Sequence, residues 1–172
     1  MKNNLALVQK AKSGDTGAFA SLYGEIYEDL YRFALYTLKN PVDAQDAVSD
    51  TVMDAFATIG KLRVNEAFKS WIFRILSNKC RKKLKEYVCR PTQLEEGRIE
   101  WETHFAKRGV EEDVQIRMLF MELPQEDRMI IAMHLFGGFT GKEIARQLHM
   151  NENTVRSRES RALKKMREQW EQ

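Results

Sequence analysis

Residues 139–163 read FTGKEIARQLHMNENTVRSRESRAL, and two short helical patterns in this stretch decide the fold of the C-terminal third of the chain. Thr140 precedes the first helical pattern, and Glu143 stands three residues after Thr140, which is the arrangement of a capping box. The tripeptide HMN at 149–151 predicts a tight turn, and the second pattern begins near Asn153. Two such helices form a helix-turn-helix, which places its second helix in the major groove of DNA.

The second helix presents two different faces at about 100° per residue. Its apolar face carries Val155, Ala162, Leu163 and Met166. Its opposite face carries Asn153, Thr154, Ser157, Ser160 and Arg161, while Arg156 and Arg158 lie near the two edges. Arginine pairs bidentately with guanine, and cations at the edge of such a helix bind phosphates. The pattern predicts a DNA-reading helix, and the alternative is an ordinary solvated basic face.

Composition indicates an all-α protein with two small helical domains. The 172 residues include only three prolines and nine glycines, 43% of them are hydrophobic, and no strand-like alternation stands out. Residues 1–90 carry a net charge of +5 and residues 116–172 one of +2, whereas the stretch between them is acidic. We therefore predict one domain over residues 1–90, an acidic linker over 91–113 and a second domain over 114–172.

An acidic stripe marks the helix predicted after Pro41. Asp43, Asp46, Asp50 and Asp54 fall within about 80° of one another on a helical wheel. No basic residue occurs between Pro41 and Gly60. Such a face repels DNA, so it indicates either a basic protein partner or exposure to bulk solvent.

A basic run follows in residues 69–90. Its cations are Lys69, Arg74, Lys79, Arg81, Lys82, Lys83, Lys85 and Arg90, against the single acid Glu86. Arg74, Asn78, Arg81 and Lys85 share one helical face. This charge density favours phosphate contact. Phe68 and Trp71 lie within the same segment. Two roles are open for their rings, stacking on unpaired bases and packing in the core, and core packing is the favoured interpretation.

The sequence gives little support for other classes of protein. Cys80 and Cys89 have no zinc spacing, and His104, His134 and His149 have no metal-binding spacing. No phosphate-cradling glycine-rich loop and no nucleophile paired with a base occur, so we expect neither an enzyme nor a cofactor. No signal peptide and no membrane-length apolar run occur, which predicts a cytoplasmic protein without membrane insertion.

Taken in order along the chain, these segments resemble the extracytoplasmic-function group of bacterial sigma factors of the sigma-70 family. The carriers are residues 40–51 (NPVDAQDAVSDT), residues 68–78 (FKSWIFRILSN), Leu123-Pro124 with Arg128, residues 143–145 (EIA) and residues 154–158 (TVRSR). Each motif is weak by itself. Together, at these spacings, they cover nearly the whole chain.

The resemblance implies a role in promoter recognition for each charged segment. In such proteins the acidic helix binds the clamp of the largest RNA polymerase subunit, which implies core-polymerase contacts at Asp43, Asp46 and Asp50. Contacts with the −10 promoter element are implied for Arg63, Asn65, Arg74, Asn78, Arg81 and Lys82. Contacts with the −35 element are implied for Asn153, Thr154, Arg156, Ser157, Arg158, Ser160 and Arg161. The partners implied are core polymerase (clamp and flap), promoter DNA and an anti-sigma factor, with no small-molecule substrate.

Two residues depart from the family pattern. Asn153 stands where glycine is usual, and we expect the turn to survive because asparagine tolerates unusual backbone angles. Glu159 replaces an apolar residue, and we expect it to pair with Arg156 on the same helix. The alternative function is a stand-alone helix-turn-helix regulator, which a gel-shift assay distinguishes because such a regulator binds DNA well without polymerase.

Overall fold

The computed structural model describes residues 2–89 and 111–171, and the regular structure in these ranges is entirely helical. The α-helices are α1 (Lys2–Lys12), α2 (Thr16–Leu38), α3 (Pro41–Thr58), α4 (Phe68–Cys89), α5 (Glu111–Met121), α6 (Gln125–Leu135), α7 (Gly141–Leu148) and α8 (Glu152–Trp170). Two 3-10 turns, Ile59–Lys61 and Asn65–Ala67, join α3 to α4. Most of the predicted linker lies outside the described residues, and its last three residues begin α5. The all-α fold class is confirmed.

Local capping explains where the first long helices begin and end. The Asp15 side chain accepts a hydrogen bond from the Ala18 amide at 2.9 Å, which starts α2 at Thr16. Lys39 ends α2 with a left-handed φ of 58°. Asn40 then caps α3 by accepting from the Asp43 amide at 3.0 Å, with Pro41 in the first helical turn.

The N-terminal half of the core surrounds α2. This helix packs against α1, α3 and α4, and Leu30 and Phe33 on it are fully buried. The Phe33 ring meets the Phe73 ring of α4 edge to face at 5.8 Å between centroids. Phe68 is buried and Trp71 is half-buried against the same core, as the core-packing interpretation requires.

The C-terminal half places α7 and α8 against α5 and α6. The turn between α6 and α7 needs glycine twice, because a Cβ on Gly137 would lie 2.3 Å from the Phe139 ring and Gly138 has a φ of 68°. Thr140 and Glu143 form the predicted capping box at the start of α7. His149 ends α7 in the left-handed conformation, with a φ of 57°.

The two halves pack on each other rather than standing apart. The Tyr36 ring of α2 lies 5.0 Å from the Phe120 ring of α5 and 5.3 Å from the Phe136 ring that follows α6. The Phe73 ring of α4 lies 5.6 Å from the Phe139 ring. The buried side chains of the described residues therefore form one continuous core.

Candidate nucleic-acid and protein interfaces

The acidic stripe of α3 divides into an inner and an outer part. Asp43 is only 14% exposed; its Oδ1 lies 2.7 Å from Lys83 Nζ, and its Oδ2 accepts a hydrogen bond from the Tyr87 hydroxyl. Asp54 pairs with Lys79 at 2.7 Å. These two carboxylates therefore hold α3 against α4, and Asp43 supports the helix that carries the predicted polymerase site.

The titration of the partners of Asp43 reflects this bonding. The hydrogen bond to Asp43 raises the pKa of Lys83. Burial, followed by the bond to Asp43, raises the pKa of the Tyr87 hydroxyl. At neutral pH Lys83 is therefore an ammonium group and the Tyr87 hydroxyl keeps its proton.

The outer part of the stripe consists of Asp46 and Asp50. Both are exposed, and neither forms a hydrogen bond or ion pair with any residue that the structure describes. Val42 and Met53 share their helical face, and Met53 is 70% exposed. The outward face of α3 is therefore acidic and apolar together, a combination that suits a basic protein surface better than DNA.

The basic run of α4 also divides by face. Lys69, Lys79 and Lys83 pair with Asp29, Asp54 and Asp43 on neighbouring helices. The cations without an ion-pair partner among the described residues are Arg74, Arg81, Lys82 and Lys85. Exposed Asn78 lies on the same face. Four of the predicted −10 residues therefore lie on one outward surface of α4, with Lys82 at its edge. They are Arg74, Asn78, Arg81 and Lys82.

The loop before α4 supplies the two other predicted −10 residues. Arg63 is exposed and lines a cleft of about 300 Å³ together with Trp71 and Arg74. Asn65 is turned toward α1, where its Oδ1 accepts from Lys12 Nζ at 3.0 Å and its Nδ2 donates to the Gln9 side chain at 3.1 Å. Arg63 thus faces the cleft, whereas Asn65 anchors the loop.

The outward face of α8 carries most of the predicted −35 residues. Asn153, Thr154, Ser157, Ser160 and Arg161 are all exposed. Arg161 is steadied by donating to the Ser157 carbonyl oxygen at 3.2 Å. The turn before α8 is formed, as expected, but Asn153 does not contribute an unusual backbone angle, because it lies inside α8 and donates its amide hydrogen to the Asn151 side chain. The positive φ of the turn belongs to His149.

The two edge arginines of α8 differ in their surroundings. Arg158 is 27% exposed and binds two carboxylates of α6, Glu126 at 2.6 Å and Asp127 at 2.7 Å. Arg156 lies in solvent, and its one ion-pair partner among the described residues is Glu152 at 3.6 Å. The predicted pairing of Glu159 with Arg156 is wrong, since Glu159 lies 3.4 Å from His134. Arg158 therefore orients α8 on α6, and Arg156 is left at the open edge.

Two cations on these surfaces were missing from the predicted site residues. Lys85 lies on the outward face of α4, four residues after Arg81. Lys165 is exposed and lines a shallow groove with Arg158 and Arg161. Each lysine stands four residues after a predicted arginine on the same helix, Lys85 after Arg81 and Lys165 after Arg161, and this spacing is the signal in the sequence.

Within the described residues, no group of three or more His, Cys, Asp or Glu side chains is placed to hold a metal ion. In the same ranges no helix has the length and apolar character needed to cross a bilayer.

Comparison with known families defines the class of protein. The sequence model of Sigma-70 region 2 matches residues 22–87, and that of Sigma-70, region 4 matches residues 113–166. The first match contains α3 and nearly all of α4, and the second contains the helix-turn-helix. This arrangement is that of a two-domain sigma factor.

Similarity over the full length narrows the class. The ECF RNA polymerase sigma factor SigM of Mycobacterium tuberculosis (strain H37Rv) is 30% identical over 161 residues, covering 94% of this chain and 81% of that relative. The RNA polymerase sigma factor SigV of Bacillus subtilis (strain 168) is 33% identical over 147 residues, covering 81% of this chain and 83% of that relative. The chain belongs to the extracytoplasmic-function group of the sigma-70 family.

Solved structures share the fold. CnrH, solved in complex with the cytosolic domain of CnrY, matches with a TM-score of 0.69 at 21% identity, over 98% of this chain and 97% of that chain. The sigma factor RpoE of Bartonella quintana, solved in complex with the anti-sigma factor NepR, matches with a TM-score of 0.67 at 22% identity, over 87% of this chain and 94% of that chain.

Proposed function

We propose that this protein is an alternative sigma factor that binds core RNA polymerase through α3 and directs initiation at promoters read by α4 and α8. Asp46 and Asp50 contact the clamp of the largest polymerase subunit. The outward cations of α4, with Arg63, bind the −10 element. The exposed face of α8 binds the −35 element. The protein acts in the cytoplasm, as a specificity subunit without a catalytic step of its own.

The observation that carries this proposal is the sorting of charge between α3 and α4. Two carboxylates of α3 neutralise two lysines of α4, through the pairs Asp43–Lys83, which is largely buried on the Asp43 side, and Asp54–Lys79, in which Asp54 is 59% exposed. What remains outside is an acidic face on α3 and a basic face on α4. A regulator that binds DNA alone needs only the basic face, whereas a protein that joins polymerase to DNA uses both.

Electrostatics assign the two outward faces to different partners. Each phosphate neutralised by lysine or arginine releases counterions, so binding through α4 and α8 weakens steeply as salt rises. The α3 face combines Asp46 and Asp50 with apolar Met53, and a protein interface of this kind depends on salt mainly through its association rate. The two contacts are therefore separable by experiment.

Run-off transcription with purified core polymerase tests the proposal. The wild-type protein is expected to direct initiation at its cognate promoter, and the double variant Asp46→Lys/Asp50→Lys is expected to lose core binding by at least about tenfold, since charge reversal at an interface costs several kcal/mol. The paired change Glu25→Lys/Glu28→Lys on α2 is the matched control, because it reverses two exposed carboxylates on another helix. Equal core affinity of the double variant and the control would remove α3 from the interface.

Promoter contact by α8 has its own test. Arg161→Ala is expected to weaken promoter binding by holoenzyme by about 1–3 kcal/mol if Arg161 reads a base. Lys164→Ala is the matched control on the same helix, because Lys164 lies 3.7 Å from Glu168 and its charge is partly compensated. A stronger effect of the control than of Arg161→Ala would place the reading face elsewhere on the helix.

Regulation by an anti-sigma factor is part of the proposal. The motivating likeness is to a sigma factor solved with its anti-sigma factor, together with the exposed apolar side chains Met53 and Leu135 on the two halves of this chain. A tagged protein recovered from its native host is expected to bring down a protein that competes with core polymerase. Recovery of polymerase subunits alone would argue against this partner.

A further inference from the structure

The loop that carries Arg63 to the predicted −10 surface has little packing of its own. Leu62 and Phe68 at its two ends are buried, whereas none of the residues 63–67 between them is buried. Val64, the largest apolar side chain of this middle segment, is 54% exposed. Apolar burial therefore fixes the ends of the loop and leaves its middle to other interactions.

A cleft lies on each side of the middle segment. The cleft of about 300 Å³ that Arg63 lines also has Val64 and Ala67 on its wall. A second cleft, of about 400 Å³, has Asn65 and Glu66 on one wall and side chains of α1 and α2 on the other. Because neither cleft is filled by side chains, packing does little to hold the segment at one position.

Asn65 supplies a restraint through both ends of its side-chain amide. Its Oδ1 accepts a hydrogen bond from Lys12 Nζ at 3.0 Å, and its Nδ2 donates to Gln9 Oε1 at 3.1 Å. The first bond has a charged donor and is the stronger kind. No other side chain of residues 63–67 forms a hydrogen bond or an ion pair with a residue that the structure describes. The amide of Asn65 is therefore the polar side-chain link between the middle segment and α1.

Both partners of Asn65 stand on one face of a firmly docked helix. Gln9 and Lys12 are three residues apart, so their side chains are neighbours on the surface of α1. Val8 and Ala11 are each 2% exposed and dock α1 on the core. The end of α1 also lies against the first 3-10 turn, where the Lys12 carbonyl oxygen is 3.9 Å from the position that a Cβ would take on Gly60. α1 thus forms a fixed support behind the loop.

We propose that α1 braces the −10 reading loop, and that Lys12 and Gln9 are positioning residues for Arg63 through Asn65. The effect on DNA reading rests on the proposed function, whereas the bracing itself does not. Arg63 is two residues from Asn65, so a displacement of the amide moves the guanidinium relative to the −10 element. Asn65 acts from behind the loop and does not touch DNA. The match to Sigma-70 region 2 begins at residue 22, after α1, and so assigns this helix no part in promoter reading.

Limited trypsin digestion of the free full-length protein, followed by mass spectrometry, tests the bracing. Trypsin cuts after Lys61 and Arg63, and cleavage of native protein tracks how often this loop opens. Lys12→Met is expected to speed cleavage at these two bonds at least about fivefold, since it removes a hydrogen bond from a charged donor. Lys12→Arg keeps a charged donor and is expected to restore the wild-type rate. Lys10→Met is the matched control, because Lys10 is an exposed cation of the same helix without a bonded partner among the described residues.

Discrimination by holoenzyme tests the positioning, with the cognate promoter compared against promoters that carry one substituted −10 base. Lys12→Met and Asn65→Ala are each expected to lower this discrimination at least about threefold. The double variant is expected to be no worse than Asn65→Ala, because that change already removes the bond to Lys12. A phosphate contact by Lys12 would instead weaken binding to every promoter equally and would overturn its positioning role.

The remaining outcomes separate the bracing from the sigma function. Unchanged cleavage of Lys12→Met, or equally fast cleavage of the Lys10→Met control, would overturn the bracing. Faster cleavage with unchanged discrimination would overturn the positioning of Arg63. Loss of discrimination in Asn65→Ala but not in Lys12→Met would make Asn65 a direct DNA contact. A protein inactive in run-off transcription would refute the sigma function, and the digestion of the free protein would still decide the bracing.

Discussion

Replacing Asp43 by alanine is expected to destabilise the N-terminal helices while leaving the outward acidic face in place. The carboxylate accepts the hydrogen bond of the Tyr87 hydroxyl and pairs with Lys83 at 2.7 Å. It also lies in the first turn of α3, where a negative charge interacts favourably with the helix dipole. Alanine removes all three interactions and leaves the buried Tyr87 oxygen without this partner.

The size of the effect follows from these contacts. A hydrogen bond to a charged group contributes about 1.5–3 kcal/mol. The helix-terminal charge adds about 0.3–1 kcal/mol. Lys83 is about one-third exposed, so its ion pair adds less than about 1 kcal/mol after solvent screening. The expected loss is therefore about 2–4 kcal/mol, a large part of the stability of a typical domain.

Urea denaturation followed by circular dichroism measures this loss. Asp46→Ala is the matched control on the same helix, and its stability is expected to stay within about 0.5 kcal/mol of the wild type because Asp46 has no bonded partner among the described residues. A double-mutant cycle with Tyr87→Phe is expected to give a coupling of about 0.5–3 kcal/mol. An Asp43→Ala protein of unchanged stability, or a coupling of zero, would refute the supporting role of Asp43.

Three further predictions concern single groups. The hydrogen bonds from Thr140 hold the pKa of Glu143 below its ordinary value. The wild type is therefore expected to be more stable than Glu143→Gln by its full margin above about pH 4.3, and to lose that margin as the pH falls through the folded-state pKa. Urea midpoints across the acid range measure this change in stability. Burial raises the pKa of the Cys80 thiol, so in a Cys89→Ser background this thiol is expected to react with a disulfide reagent only as fast as the protein unfolds; rapid reaction of native protein would contradict its burial. Arg158→Ala is expected to lower stability by about 1 kcal/mol and to weaken −35 binding through misplacement of α8; loss of DNA binding at unchanged melting temperature would instead make Arg158 a direct contact.

Local signals explain why the helix limits were largely predictable. Asp15 as an N-cap and the break at Asn40-Pro41 predict a helix from about Thr16 to Leu38, and α2 spans these residues. The same holds for the capping box at Thr140 and Glu143. Apolar residues at helical spacing in 16–38 indicate core positions for both Phe33 and Tyr27. Phe33 is fully buried, whereas Tyr27 is 37% exposed.

Contacts between distant residues explain what the sequence could not predict. A helical wheel places Asp43 and Asp46 on one stripe, and only the packing of α4 separates the bonded carboxylate from the exposed one. The Arg128 contacts with α2 join residues about ninety positions apart. Nothing in the local pattern around Arg128 identifies the carbonyl groups that it binds.

Charge pairing inside the fold is what gives the outer surfaces their specificity. The whole chain has a net charge of only +3, which is too small to select DNA over protein. In the folded chain Asp54 of α3 and Lys79 of α4 neutralise each other. Asp46 therefore remains on an acidic face of α3, and Arg74 remains on a basic face of α4. A substitution in an inner pair therefore changes stability, whereas one on an outer face changes binding. This separation makes the polymerase and promoter contacts independently testable in one small protein.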